Sequence, residues 1–178
     1  MTGFFDTHPL HAQPRRDDAP PLPEGTPAGL VALLAETAGQ SYARGFWSFV
    51  PPTHLGRWMA PWGLAEAGCL PFLKGGFGHI VFLQGAEYKV LNPVFNTVDL
   101  LGAAEDLGFV MDVLLCDRPS LEASFLIDLY ESAWPRLGDP GDEEIYALVP
   151  ALGLGGPRTE AQVQLRSMAS EMPLLAQL

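Results

Sequence analysis

Apolar positions along this chain change their period several times, and each change marks an element. Leu30, Val31, Leu33 and Leu34 form a stripe that predicts a short helix over 30–36, with Gly39 as its terminator. Aromatics and valine then alternate through 42–50 (Tyr-Ala-Arg-Gly-Phe-Trp-Ser-Phe-Val), predicting a strand that Pro51-Pro52 ends. Thr53 reads as the N-cap of a helix over 54–59, with Trp58 turned inward and Pro61 and Gly63 as stops. The clearest sheet signal covers 69–101. Three strands are expected there, at 69–73, 79–83 and 88–91, with turns at Gly75-Gly76 and Gln84-Gly85. Asn92-Pro93 breaks the third strand, and 97–100 adds a little more.

Helical spacing returns with Leu107, Val110, Met111 and Leu114, predicting a helix over 103–116. Asp117-Arg-Pro-Ser ends it and places a proline in the first turn of the next helix, 121–134. That helix sets Leu121, Phe125, Leu129 and Ala133 on one side, flanked by Ile127 and Tyr130. Pro135, Gly138, Pro140 and Gly141 read as a loop, and 144–148 as a strongly apolar strand. Residues 162–178 read as a helix or a loop plus helix, with 171–178 as a separate terminal turn because of Pro173. The expected fold is a single α+β domain, an antiparallel β-meander packed against helices.

Composition adds a leader. Six of the seventeen prolines fall within residues 1–27, so no helix or central strand is expected there; Phe4, Phe5 and Leu10 are the candidates to pin it to the domain. The chain of 178 residues is long enough for a sizeable core. Met-Thr-Gly-Phe-Phe-Asp is no signal peptide, and no apolar run approaches the ~20 residues of a membrane span. A cytoplasmic protein is expected, with Cys69 and Cys116 as buried free thiols.

Charge narrows the partner. The formal net charge of −11 argues against nucleic acid or an anionic membrane as a direct ligand and suits a basic protein. The acid is uneven: residues 99–144 hold twelve carboxylates against Arg118 and Arg136, and carry −10 of the total.

No catalytic device stands out. His8, His11, His54 and His79 have no metal-site spacing, so no metal or cofactor is expected. Lys74-Gly-Gly-Phe-Gly and Leu152-Gly-Leu-Gly-Gly are glycine-rich like a phosphate cradle, but the first sits between strands and the second lacks a lysine; both read as structural turns. Acidic runs such as Glu105-Asp106 and Asp142-Glu143-Glu144 lie near glycine and proline, the mark of solvated loops rather than of acid–base pairs. Phe46, Trp47, Trp58 and Trp62 are expected to fill the core rather than a ligand site. The chain is not expected to be an enzyme.

The stretch Asp142-Glu-Glu-Ile-Tyr-Ala-Leu-Val-Pro-Ala-Leu-Gly-Leu-Gly-Gly156, with Tyr88-Lys-Val-Leu-Asn-Pro93 and the terminal Leu174-Leu-Ala-Gln-Leu178, resembles the immunity proteins that accompany type VI secretion DNase toxins. Gly39, Tyr42, Gly45-Phe46-Trp47, Pro51 and Trp58 look like a shortened form of that family's GAD-like N-terminal part. The proline-rich leader (1–27) is unlike the family's usual start; the resemblance implies an immunity-type domain (28–178), divided into a GAD-like part (28–66) and a C-terminal part (67–178). It implies a protein that neutralises a co-encoded toxin, most plainly a nuclease effector, by binding it. Charge clustering makes Glu105, Asp106, Asp139, Asp142, Glu143 and Glu144 the expected contact surface. Two other readings stand beside it: a scaffold or regulatory domain for a cellular protein, and acids that only keep the chain soluble.

Overall fold

The computed structural model describes residues 3–12, 22–64 and 68–178. Helix α1 (Phe4–Thr7) and strand β1 (Leu10–Ala12) come first, then α2 (Ala28–Thr37), a hairpin of β2 (Ser41–Tyr42) and β3 (Trp47–Ser48), and α3 (Pro52–Met59). The meander follows as β4 (Cys69–Gly75), β5 (Ile80–Gln84), β6 (Glu87–Asn92) and β7 (Thr97–Ala103). Helices α4 (Leu107–Asp112), α5 (Arg118–Ser124) and α6 (Ile127–Leu137) lead to β8 (Glu144–Leu148), β9 (Val163–Ser167) and α7 (Met168–Leu175). Strands β1 to β7 form one antiparallel sheet in chain order, and β8 pairs with β9 beside it. This is the α+β meander expected. Strands from both expected halves share the sheet, because Trp47 and Ser48 of β3 pair with Gly75 and Lys74 of β4.

The sheet is covered on both faces, which explains why β5 is continuously apolar. Val81 and Leu83 belong to the larger core with Phe4, Leu30, Phe125 and Tyr130; Ile80 and Phe82 belong to a smaller one with Leu55, Met59, Met168 and Met172. Helix α3 and helix α7 therefore close one face, and the remaining helices the other.

Several elements differ from expectation. The leader carries a helix and an edge strand: Phe4 is fully buried, its N–H donates to Asp112 Oδ1 at 2.8 Å, and His8 Nε2 contacts Leu115 O at 2.7 Å. Phe5 and Leu10 stay half exposed, so of the three expected candidates only Phe4 is buried. Pro14, Pro20 and Pro21 lie outside the described residues. The expected strand 42–50 is a hairpin, because Ala43, Arg44 and Gly45 all take positive φ and reverse the chain. Pro51, not Thr53, stands at the N-cap of α3.

The expected helix 103–116 is broken. Strand β7 continues to Ala103, which pairs with Glu87, and the rest divides into α4 and 3₁₀ turns on either side. The expected helix 121–134 is two helices, since Leu126 adopts a left-handed conformation. That break lets the consecutive residues Phe125, Leu126 and Ile127 all be buried, which one continuous helix would not allow. Pro135 sits inside α6, near its end, rather than in a loop, and Pro173 sits inside α7. Residues 163–167 form β9 instead of helix, paired along their length with β8.

The turn Gly75-Gly76-Phe77-Gly78 is packed, not open. A Cβ on Gly76 would lie 2.5 Å from Cδ2 of Tyr130, whose ring is stacked on Tyr146 at 4.5 Å and set edge-on to Phe46 at 5.0 Å. Gly76→Ala should therefore destabilise the protein by about 1–3 kcal/mol through overpacking. Gly108→Ala, in α4 with open space around it, should be neutral or stabilising by up to about 1 kcal/mol. Urea unfolding of the two variants checks the contrast.

Candidate functional site

Three of the six expected contact residues, Asp139, Asp142 and Glu143, lie on the loop between α6 and β8, and a fourth, Glu144, opens β8. The loop begins where Gly138, with φ of 70°, ends α6 and gives its N–H to Trp134 O at 2.8 Å. Pro140 is buried, and a tight turn follows in which Glu144 N donates to Gly141 O at 3.1 Å. The Glu144 carboxylate returns the contact, accepting from Gly141 N at 3.0 Å.

Below the turn lies Lys74, which is 1% exposed. Its Nζ donates to Gly141 O at 2.5 Å, Glu144 O at 3.0 Å and Asp142 O at 3.3 Å. An ammonium has three donors, and here all three go to main-chain oxygens. The remaining carbonyl, Glu143 O, accepts from Met168 N at the start of α7 at 2.8 Å. Tyr146 OH donates to Gly138 O at 2.5 Å. All four carbonyls of residues 141–144 are thus bonded to the protein. The side chains of Asp142 and Glu143 are exposed, and Glu144 is half buried.

Burial pushes the Lys74 ammonium down to about 8, with the Asp142 and Glu144 carboxylates pulling the other way. Asp139 is fixed from two sides: Oδ2 meets His11 Nε2 at 2.5 Å, and Oδ1 accepts from Trp134 Nε1 at 2.7 Å. Gly45, whose φ of 79° favours glycine, lies against Asp139 and the Tyr130 hydroxyl. Glu143 pairs with Arg57 of α3. The Asp142 carboxylate accepts no hydrogen bond among the described residues.

Asp139, Asp142, Glu143 and Glu144 line a cleft of ≈ 710 Å³. Its other wall comes from the β2–β3 hairpin and the start of α3, including Gln40, Ser41, Ser48 and His54. A cleft with a carboxylate rim can take cationic side chains. Glu105 and Asp106 do not belong to it. They are exposed in the turn after β7, at the sheet edge away from β2 and β3, where Asp106 Oδ2 accepts from Ala103 N at 3.3 Å.

Lys74, His11, Trp134 and Arg57 are site residues that a charge count misses. Lys74 did leave a signal: it is one of only two lysines, set between apolar strand residues and glycines. The other candidates for chemistry have structural places. His79 is fully buried, contacts Ser124 O at 3.1 Å, and is pushed down to about 4 by burial, so its ring is neutral. Phe46 and Trp47 are buried in the core; Trp58 and Trp62 are half buried at its margin. Cys69 and Cys116 are free and only partly buried. Among the described residues no cluster of His, Cys, Asp and Glu is placed to hold a metal ion, and no helix is long and apolar enough to cross a membrane.

No protein-family model matches the chain, and no curated protein does. Among solved structures it is similar to the crystal structure of Atu4351 from Agrobacterium tumefaciens, with a TM-score of 0.61 and 14% identity, over 97% of this chain and 86% of that one. The likeness is one of fold.

Lys74→Met should lower stability at neutral pH by about 1–3 kcal/mol, because buried carbonyls lose their donor. The pH dependence has a definite sign. The unfolded lysine titrates near 10.5 and the folded one near 8, so the unfolded chain holds more protons between those values and stability rises with pH across that window. The gap between the native protein and Lys74→Met should therefore widen by about 2–3 kcal/mol from pH 7 to 10. Urea unfolding of both proteins at the two pH values measures it.

Proposed function

We propose that the chain is a binding protein that neutralises a basic partner, and that the partner is a co-encoded bacterial toxin of the nuclease class. The observation that carries this is the orientation of residues 139–144. The carbonyls of residues 141–144 are held by Lys74 and Met168, Gly138 O just before them by Tyr146, and the acidic residues of the stretch line an open cleft. A loop fixed before binding loses little conformational entropy on docking, so more of its electrostatic attraction appears as affinity.

The choice of toxin rests on chemistry and on the immunity-protein resemblance of residues 142–156. A nuclease must hold a polyanion, so its working face is basic. An acidic loop complements that face, speeds encounter and obstructs the nucleic acid's path. Binding alone performs the task. A basic cellular partner would suit the same surface, and rescue from toxicity separates the two.

Expression of the toxin candidate encoded beside this chain should arrest growth, and co-expression of this chain should restore it, with the two proteins co-purifying. Asp142→Lys and Glu143→Lys should each weaken the complex about tenfold, chiefly through a slower, more salt-sensitive association. Surface plasmon resonance at two salt concentrations reads both rates. Unchanged kinetics in the double variant would remove the loop from the interface.

A further inference from the structure

The seven-stranded sheet ends differently on its two sides. At one rim β1 has three residues and an irregular register against β2. Short, irregular edges resist pairing with other chains. At the other rim β7 has seven residues, and no described strand pairs on its outer side.

The first part of β7 is bare. Residues 97–100 are all exposed, with Val98 at 42% and Leu100 at 63%. These two share a face with Leu91 and Lys89, their partners on β6. Helix α4 reaches only the other end, where Gly102 faces Val110 and the Asp106 side chain. Phe95 and Phe109 flank the strand and are also exposed. Residues 97–103 contain no lysine, arginine or proline, the usual devices for blunting an edge.

Charge selects the occupant. Among the described residues the carboxylates around the rim are Asp99, Glu105 and Asp106, all exposed, with Glu87 on β6, while the cation beside them, Lys89, is held by Glu87 at 2.9 Å and Gln84 at 3.1 Å. Pairing with a second copy would place like charges together, each chain carrying −11. An extended segment with lysine or arginine on one face and apolar residues on the other matches both the hydrogen-bonding rim and its acid.

We propose that the outer rim of β7 docks an extended, basic segment of a partner protein, which joins the sheet as an eighth strand. The rim lies four strand spacings, roughly 19 Å, from β3 at the acidic cleft, so it is a second surface and stands without the nuclease reading.

A capped peptide of about seven residues alternating lysine and valine is a direct probe, with a glutamate–valine peptide as control. Titrated into the 15N-labelled protein, the lysine peptide should shift the amides of 97–100 and slow their hydrogen exchange. Its affinity should fall several-fold from about 50 to about 300 mM salt. Leu100→Lys should weaken binding about tenfold without lowering the unfolding midpoint. Asp99→Asn with Glu105→Gln should flatten the salt dependence, and Asp142→Lys should leave binding intact. The proposal is overturned by equal binding of the glutamate peptide, by shifts at 139–144 in place of β7, by self-association through β7, or by no binding at millimolar peptide.

Discussion

Lys74 holds the acidic loop in its shape. Burying an ammonium costs several kcal/mol, and only close, well-aimed acceptors offset that cost. Here the acceptors are the carbonyls of Gly141, Asp142 and Glu144, with two carboxylates adding attraction through space. The cation is itself fixed, because β4 is paired on both sides, Lys74 lying opposite Ser48 and Ile80. Loop shape thus derives from the middle of the sheet. The Tyr130–Tyr146 stack reinforces the link, since Tyr146 N donates to Gly76 O at 2.8 Å and Tyr130 OH to Arg44 O at 2.9 Å. Hairpin turn, glycine turn and acidic loop share one aromatic support.

The meander was readable because its strands are rich in apolar residues and punctuated by glycine at Gly75-Gly76 and Gly85, and because consecutive strands are neighbours. Strand β8 falls at 144–148 as expected, bounded by acids before it and Pro150 after it. What escaped the sequence has physical causes. The left-handed Leu126 has no local signal; only the burial of three successive residues requires it. Strand β9 alternates Val163, Gln164, Leu165 and Arg166 for too short a stretch to outweigh the helix formers after it. In the leader, α1 precedes the first proline, Pro9, and the burial of Phe4 and His8 ties it to the domain.

The site was legible by halves. Counting charge located the carboxylates of 139–144, yet it also joined Glu105 and Asp106 to them, although these lie beyond β7. A linear count cannot place residues on opposite edges of a sheet. Nor could it reveal that Asp139 and Glu143 have side-chain partners, His11 and Arg57, distant in sequence. Such long-range pairs are exposed and contribute little to stability, but they orient the carboxylates they touch.

The division of labour within the loop has an evolutionary consequence. Main-chain oxygens maintain its shape through Lys74, and no hydrogen bond within the loop uses the exposed side chains of Asp142 and Glu143. Those two positions can therefore drift in charge and size while the scaffold stays folded. A lineage facing a changed partner could retune recognition there in single steps, without passing through unstable intermediates.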